Sequence, residues 1–138
     1  MKKRSVLYIT DERYFSTGLI SYLSIYFEII FIFVENDQQA IQCLRENPDI
    51  DLCFTKILMP PREDEDCNGD ELGKSTGLRW SERIKKEFPD FTIWSIDYRD
   101  DISFEEFQVA GIDRNFMQPL DLDDFKQSLK KILIEKAK

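Results

Sequence analysis

Short apolar runs alternate with amphipathic segments along the chain. The run Ser5–Ile9 is apolar and β-branched, and the positions after it are apolar at helical spacing: Phe15, Leu19, Leu23 and Tyr26. The run Ile29–Val34 is followed by Asn36 or Asp37, either of which can cap a helix whose apolar positions are Ala40, Ile41 and Leu44. The pattern predicts two consecutive strand–helix units.

The rest of the chain repeats this order three times. Strands are predicted from Leu52 to about Met59, over Phe91–Ile96 and over Arg114–Met117. The helices are predicted from apolar residues about one turn apart: Trp80, Ile84 and Phe88; then Phe104, Phe107 and Ala110; then Leu122, Phe125, Leu129, Ile132 and Leu133. We expect Gly111 to end the fourth helix and Asp121 to cap the fifth.

Five strands that alternate with five helices predict an α/β fold, with a parallel sheet covered on both faces. Ligands of such folds bind beyond the carboxyl ends of the strands. A chain of 138 residues is long enough for one core and short for two, so we predict a single domain over 1–138. A long acidic insertion at about 61–75 separates the third strand from the third helix.

Charge and hydropathy narrow the choice of partner. The chain has 27 acidic and 19 basic residues, which argues against nucleic acid and anionic membranes as partners and favours proteins. The apolar stretch Gly18–Val34 contains Glu28 and several polar groups, so we expect no spanning helix. The apolar run after the basic start is too short for a signal peptide, and we expect a cytoplasmic protein.

The amino-acid composition argues against several kinds of functional site. The chain has no histidine, and its three cysteines, Cys43, Cys53 and Cys67, lack CxxC spacing. Structural zinc and histidine-based catalysis are therefore not expected. We predict a protein that is not an enzyme and holds no cofactor.

Three segments resemble the signature segments of response-regulator receiver domains, in the right order. Val6–Glu12 resembles their first strand and acidic pair, Asp51–Pro60 resembles the third strand through the phospho-acceptor to a Met-Pro dipeptide, and Gly111–Leu120 resembles the fifth strand and its lysine–proline pair. The resemblance implies two-component signal transduction or a phosphorelay. It also implies a flavodoxin-like (βα)5 three-layer sandwich, whose parallel five-stranded sheet has the order 2-1-3-4-5.

The phosphorylation site of that family is altered here. In receivers an acidic pair holds Mg²⁺, an aspartate takes the phosphoryl group, a Ser/Thr senses it and a lysine contacts it. By resemblance these positions are Thr10, Asp11 and Glu12 for the acidic pair, Lys56 for the acceptor, Asp97 for the Ser/Thr, and Gln118 and Pro119 for the lysine–proline pair. Pro119 resembles the family's cis proline, and Tyr98 is the candidate switch residue.

Lys56 changes the chemistry that this pocket can perform. An acyl phosphate requires a carboxylate nucleophile and a metal that neutralises the incoming phosphoryl group. We predict that the Lys56 ammonium instead forms a salt bridge with Asp11, with Asp97 as a second partner. The alternative is that Lys56 extends to solvent over an unused pocket. A displaced acceptor at Asp97 would lack the lysine and the full metal site.

The insertion at 61–75 contains six acidic residues and two basic ones. The pattern of Asp64, Asp66, Asn68 and Asp70 matches the first half of a calcium-binding loop, but Ser75 stands where a bidentate Glu is required. The insertion is therefore a weak calcium candidate, a solvated acidic loop, or a docking segment for a basic partner.

The leading functional prediction is a pseudo-receiver that works through phosphorylation-independent protein–protein interaction. By resemblance, its partner surface, including that of a homodimer, is formed by the fourth helix, fifth strand and fifth helix. The alternative prediction is a small-ligand or metal-ion sensor that uses the altered pocket or the acidic insertion.

Overall fold

The computed structural model describes residues 4–10, 17–59, 61–65, 69, 73–97, 102–117 and 121–136. Within these ranges, five strands alternate with five helices. The strands are β1 Arg4–Ile9, β2 Ile29–Val34, β3 Leu52–Thr55, β4 Thr92–Asp97 and β5 Arg114–Met117. The helices are α1 Thr17–Phe27, α2 Asp37–Glu46, α3 Thr76–Glu87, α4 Phe104–Ala110 and α5 Leu122–Lys136.

The five strands form one parallel sheet in the order β2-β1-β3-β4-β5. Parallel neighbours need crossover connections, which the intervening helices supply. The register places Ile9, Thr55 and Ser95 beside one another in β1, β3 and β4. The carboxyl ends of all five strands therefore lie at one edge of the sheet. This architecture confirms the predicted fold and strand order.

The sheet separates two apolar layers. The layer beneath α2, α3 and α4 contains buried residues of both the strands and the helices, among them Leu7, Leu44, Trp80, Ile84, Ile93 and Ala110. The layer beneath α1 and α5 is rich in aromatic rings and contains Tyr8, Leu23, Phe54, Trp94, Phe125 and Leu129. Because both faces of the central strands are covered, β1 and β3 contain the continuous apolar runs Val6–Ile9 and Leu52–Phe54, whereas β4 includes the buried polar Ser95.

The helix ends follow the predicted local signals. Asn36 caps the start of α2, where its side chain accepts a backbone N–H of the first turn at 2.9 Å. α4 begins with a capping box between Ser103 and Glu106 and ends at Gly111, whose φ of 78° is left-handed. Asp121 accepts a backbone N–H at the start of α5 at 3.2 Å. These signals therefore set the ends of three helices.

Three of the apolar residues whose spacing predicted helices are exposed and do not face the core. Phe104 and Leu122 are 74% and 49% exposed, because each is the first residue of its helix and precedes the turn that packs on the sheet. Tyr26 is 57% exposed, and its ring lies 4.4 Å from Lys126 Nζ on the surface between α1 and α5. Helical spacing alone does not distinguish residues at the start of a helix, or at the border of its buried face, from residues of the core.

The membrane candidate Gly18–Val34 is divided between a helix and a strand. α1 has 11 residues and β2 has 6, and Glu28 lies between them with a left-handed φ of 55°. Among the described residues, no helix combines the length and the hydropathy that crossing a bilayer requires.

Candidate site at the carboxyl edge of the sheet

The carboxyl edge brings together three of the predicted pocket residues. Thr10 follows β1 and is buried, and its N–H donates to the Val34 carbonyl at 3.0 Å. Lys56 follows β3 directly and is half-buried, while Asp97 is the last residue of β4. The backbone therefore places these positions where the sequence predicted a pocket.

Other predicted residues lie outside the described part of the chain: Asp11, Glu12, Tyr98, Gln118 and Pro119. The salt bridge between Lys56 and Asp11 therefore stays a prediction. The same holds for the switch role of Tyr98 and the cis peptide before Pro119.

The segment after β3 is fixed against the start of α3. β3 ends at Thr55, short of the predicted Met59, because the following chain leaves the sheet and hydrogen-bonds to the segment before and at the start of α3. The Gly77 N–H donates to the Ile57 carbonyl at 2.9 Å, and the Met59 N–H donates to the Gly73 carbonyl at 3.1 Å. The main chain around Lys56 is thus held by two hydrogen bonds outside the sheet.

Two buried carboxylates and two partly buried arginines form a group beside this segment. We call this group the α2–α3 ion cluster (Asp37, Arg62, Glu65 and Arg83). Asp37 is the first residue of α2 and its side chain is 2% exposed. Its two oxygens accept from Arg62 Nε at 2.7 Å and Arg83 Nη1 at 2.8 Å. The hydrogen bond to Asp37 raises the pKa of Arg83 above its ordinary value, although partial burial opposes it.

Glu65 completes the cluster and is the most deeply buried charge in it, with a fully covered side chain. Its Oε1 accepts from Trp80 Nε1 at 3.0 Å and from the Arg62 N–H at 2.8 Å. Its Oε2 lies 3.2 Å from Arg83 Nη1 and 3.6 Å from Arg79 Nε. All four carboxylate oxygens of the cluster thus have donors, which buried charges require.

The cluster changes the interpretation of the acidic insertion. The first described part of the insertion, 61–65, is tied to α2 and α3 by Arg62 and Glu65, so this part is not a freely solvated loop. The Asp64 carboxylate is exposed and lies 2.6 Å from Arg62 Nη1. The other calcium candidates, Asp66, Asn68 and Asp70, lie outside the described residues. Among the residues described, no group of three or more potential metal ligands is present.

Sequence reasoning missed the α2–α3 ion cluster. Asp37 was considered only as a helix cap, and Glu65 only as one charge among several in the insertion. A usable signal was present on α3, where Arg79 and Arg83 lie one turn apart beside the buried Trp80. Arginines that flank a buried residue on a helix lie at the border of the covered face, where carboxylates from another segment can pair with them.

Comparison with known proteins gives a likeness of fold. No protein-family model and no curated protein matches the sequence significantly. Among solved structures, the signal receiver domain of an HD domain-containing protein from Pseudomonas fluorescens Pf-5 matches with a TM-score of 0.75 and 18% identity. That match covers 99% of this chain and 91% of the other.

Two further structures extend the likeness. A response regulator from Thermotoga maritima matches with a TM-score of 0.68 and 24% identity, over 95% of this chain and 98% of the other. The receiver domain of the Saccharomyces cerevisiae response regulator Ssk1, solved with the histidine phosphotransfer protein Ypd1, matches with a TM-score of 0.65 and 13% identity, over 91% and 86%. This chain therefore has the fold of response-regulator receiver domains.

Proposed function

We propose that the chain is a receiver-type signalling domain that binds protein partners without being phosphorylated. Lys56 carries the proposal, because it follows β3 directly at the position where the family resemblance places the phospho-acceptor aspartate. An ammonium group cannot form an acyl phosphate. It also repels a nearby cation by about 1 to 4 kcal/mol per unit charge at about 4 Å, which opposes Mg²⁺ binding.

The α2–α3 ion cluster supports the same proposal. Together with Arg79, which pairs with Glu65, and Asp64, which pairs with Arg62, it contains three positive and three negative side chains, so their charges balance without an external ion. These charges hold the segment after β3 against α2 and α3. We infer that this edge of the domain keeps one conformation whether or not Mg²⁺ is present.

The receiver-like fold and the altered site support a signalling role through protein contacts, without enzymatic activity. The Ssk1 receiver domain was solved with a histidine phosphotransfer protein, which supports a protein partner for this chain as well. We propose that residues 1–138 form one such domain and that it acts in the cytoplasm.

The surface of α4, β5 and α5 is the proposed contact region, including that of a homodimer. It exposes apolar side chains that the fold does not use: Phe104 at 74%, Val109 at 72%, Leu122 at 49% and Met117 at 40%. We propose that these side chains contribute to one patch along the β5 edge of the sheet, because contiguous exposed apolar patches are typical of interaction surfaces.

Amide NMR spectra test the loss of phosphoryl sensing. Mg²⁺ with beryllofluoride, a mimic of the acyl phosphate, should cause no saturable shifts at Thr10, Lys56 or Asp97, because no carboxylate is available at the acceptor position. A phosphorylatable receiver measured in the same buffer is the positive control. Saturable shifts at these residues would overturn the proposal. A separate titration with Ca²⁺ tests the acidic insertion as an ion site.

Sedimentation equilibrium tests the proposed contact surface. We expect the weight-average mass to rise with concentration toward that of a dimer, and the double substitution Phe104→Ser and Val109→Ser to keep the chain monomeric. Ile25→Ser is the matched control, since Ile25 is 83% exposed on α1, outside the proposed surface. A monomer at every concentration, or an equal effect of Ile25→Ser, would contradict a homodimer through this surface.

A further inference from the structure

The edge of the sheet opposite Lys56 carries an open groove, which we call the amino-edge groove. It lies between the turns that follow α2 and α3, and its volume is about 370 Å³. Leu44, Ile50 and Phe91 form its apolar floor, and the half-buried Phe88 flanks them. The volume falls within the range of about 300 to 1,000 Å³ that is typical of ligand-binding pockets.

Two turns of the same construction form the walls of the amino-edge groove. Each helix is followed by a capping residue, then a Pro-Asp pair, then a buried apolar residue: Asn47 to Ile50 in one turn and Phe88 to Phe91 in the other. The Ile50 N–H donates to the Asn47 carbonyl at 3.2 Å, and the Phe91 N–H donates to the Phe88 carbonyl at 3.1 Å. Because proline fixes its own φ, both walls are shaped before any partner arrives.

The mouth of the groove has an unpaired negative charge. Asp51, Glu87 and Asp90 line it, and Glu87 is paired with Arg45 at 2.6 Å. Both α2 and α3 end here, and their C-termini bring partial negative charge, which Arg45, Lys85 and Lys86 in the last turns offset in part. Asp51 pairs with Arg4 at 3.3 Å, whereas the exposed Asp90 has no ion-pair partner among the described residues.

We propose that the amino-edge groove binds a segment of a partner protein that combines a large apolar side chain with a neighbouring arginine or lysine. The apolar side chain would cover the floor, and the cation would lie beside Asp90 and the helix C-termini. The groove is open along one side, whereas small molecules are typically bound in sites that enclose most of their surface. A side chain presented by another protein fits an open groove better.

This site is separate from the pocket at Lys56 and from the α4, β5 and α5 surface. It is independent of the proposed loss of phosphorylation, because its residues lie at the opposite edge of the sheet. A domain with both surfaces can hold two partners at once.

NMR titration of the full chain tests the inference with three hexapeptides of fixed sequence. The first is acetyl-Ala-Arg-Leu-Phe-Arg-Ala-amide, the second replaces both arginines by glutamate, and the third replaces the Leu-Phe pair by Gly-Gly. We expect saturable shifts with the first peptide alone, concentrated at 44–51 and 87–92. Shifts of equal size with the first and third peptides would indicate attraction to an acidic protein only, and would overturn the proposal.

Charge reversal at the rim provides the matched pair of variants. Asp90→Lys should weaken binding of the first peptide at least tenfold. Asp123→Lys changes the net charge by the same amount on the other side of the sheet, and it should change the affinity for the first peptide by less than twofold. Amide spectra of both variants without peptide check that the fold is retained. No saturable binding to the unaltered chain, or an equal loss in the two variants, would count decisively against the site.

Discussion

Gly77 is in the first turn of α3, where the structure leaves no room for a side chain. A Cβ atom at this position would lie 1.9 Å from the Lys56 carbonyl oxygen and 2.7 Å from Ile57 Cα. Both contacts are with backbone atoms, which cannot rotate away as a flexible side chain would. The absence of a side chain at Gly77 is therefore what allows the segment carrying Lys56 to pack against α3.

Replacing Gly77 by alanine should reverse the usual sign of a glycine-to-alanine change in a helix. Alanine favours helix by about 1 kcal/mol over glycine. Forcing an extra carbon into a packed site costs about 1 to 3 kcal/mol and occasionally more. We expect Gly77→Ala to lower the free energy of unfolding in urea by about 1 to 3 kcal/mol, while Glu82→Ala, at an exposed position of the same helix, changes it little. A stabilised Gly77→Ala variant would mean that the close approach is absent in solution.

The elements around the acceptor position are joined by charge as well as by apolar packing. Arg62 and Glu65 come from the connection between β3 and α3, Asp37 from the start of α2, and Arg83 from α3. One ion cluster therefore links three consecutive parts of the chain on one face of the sheet. Removing a buried carboxylate from such a group leaves covered donors without one of their acceptors.

Substituting Glu65 by alanine should destabilise the domain far more than the same change two residues earlier. Glu65→Ala leaves Trp80 Nε1 and the Arg62 N–H without their acceptor. We expect a loss of about 3 kcal/mol, the low end for a broken buried pair, because Arg83 keeps its hydrogen bond to Asp37 and reaches solvent. Glu63→Ala is the control, since Glu63 is exposed in the same connection. Its effect should stay within about 0.5 kcal/mol. Equal effects in thermal unfolding would show that the cluster contributes nothing to stability.

The sequence was sufficient to predict the elements of the fold and their order, because strand and helix periods, caps and the left-handed Gly111 are local signals. It did not reveal that Phe104 and Leu122 are exposed, since helical spacing does not say where the first turn meets the sheet. The ion-pair partners of the buried charges could not be predicted either. Asp37 and Arg62 are 25 positions apart in the chain, and only the fold brings them together.

The site was predictable to the same extent. Thr10, Lys56 and Asp97 fall at the carboxyl edge because strand ends can be predicted and parallel strands end together. The amino-edge groove was not predicted, although the two Pro-Asp turns that form it are visible in the sequence. Their meaning depends on α2 and α3 lying side by side, and no local pattern encodes that arrangement.

At the scale of the whole molecule, the sheet divides the interior into two layers, each with one tryptophan. Trp80 belongs to the layer beneath α2, α3 and α4, and Trp94 to the aromatic layer beneath α1 and α5. They are the two tryptophans of the chain, so fluorescence can report each layer separately.

Single-tryptophan variants should show that the two layers unfold together, because they share every central strand of the sheet. In Trp94→Phe, the fluorescence of Trp80 should change at the same urea concentration as the far-UV circular dichroism. In Trp80→Phe, the fluorescence of Trp94 should likewise change together with the circular dichroism. Each variant serves as its own reference, since both signals come from one sample. A fluorescence midpoint below that of circular dichroism would instead identify a layer that opens first.

The position of β2 at the edge of the described sheet bears on the behaviour of the chain when it is partly unfolded. Its sequence Ile-Ile-Phe-Ile-Phe-Val has high strand propensity and no charge or proline, which are the properties of segments that assemble into cross-β fibrils. A glutamate flanks each end of β2: Glu28 before it and Glu35 after it. Glu28 has a left-handed φ of 55°, a conformation that glycine would adopt at lower cost. In stacked copies of β2, repulsion between these flanking carboxylates would oppose fibril growth. Replacing both glutamates by neutral residues should therefore allow β2 to nucleate amyloid.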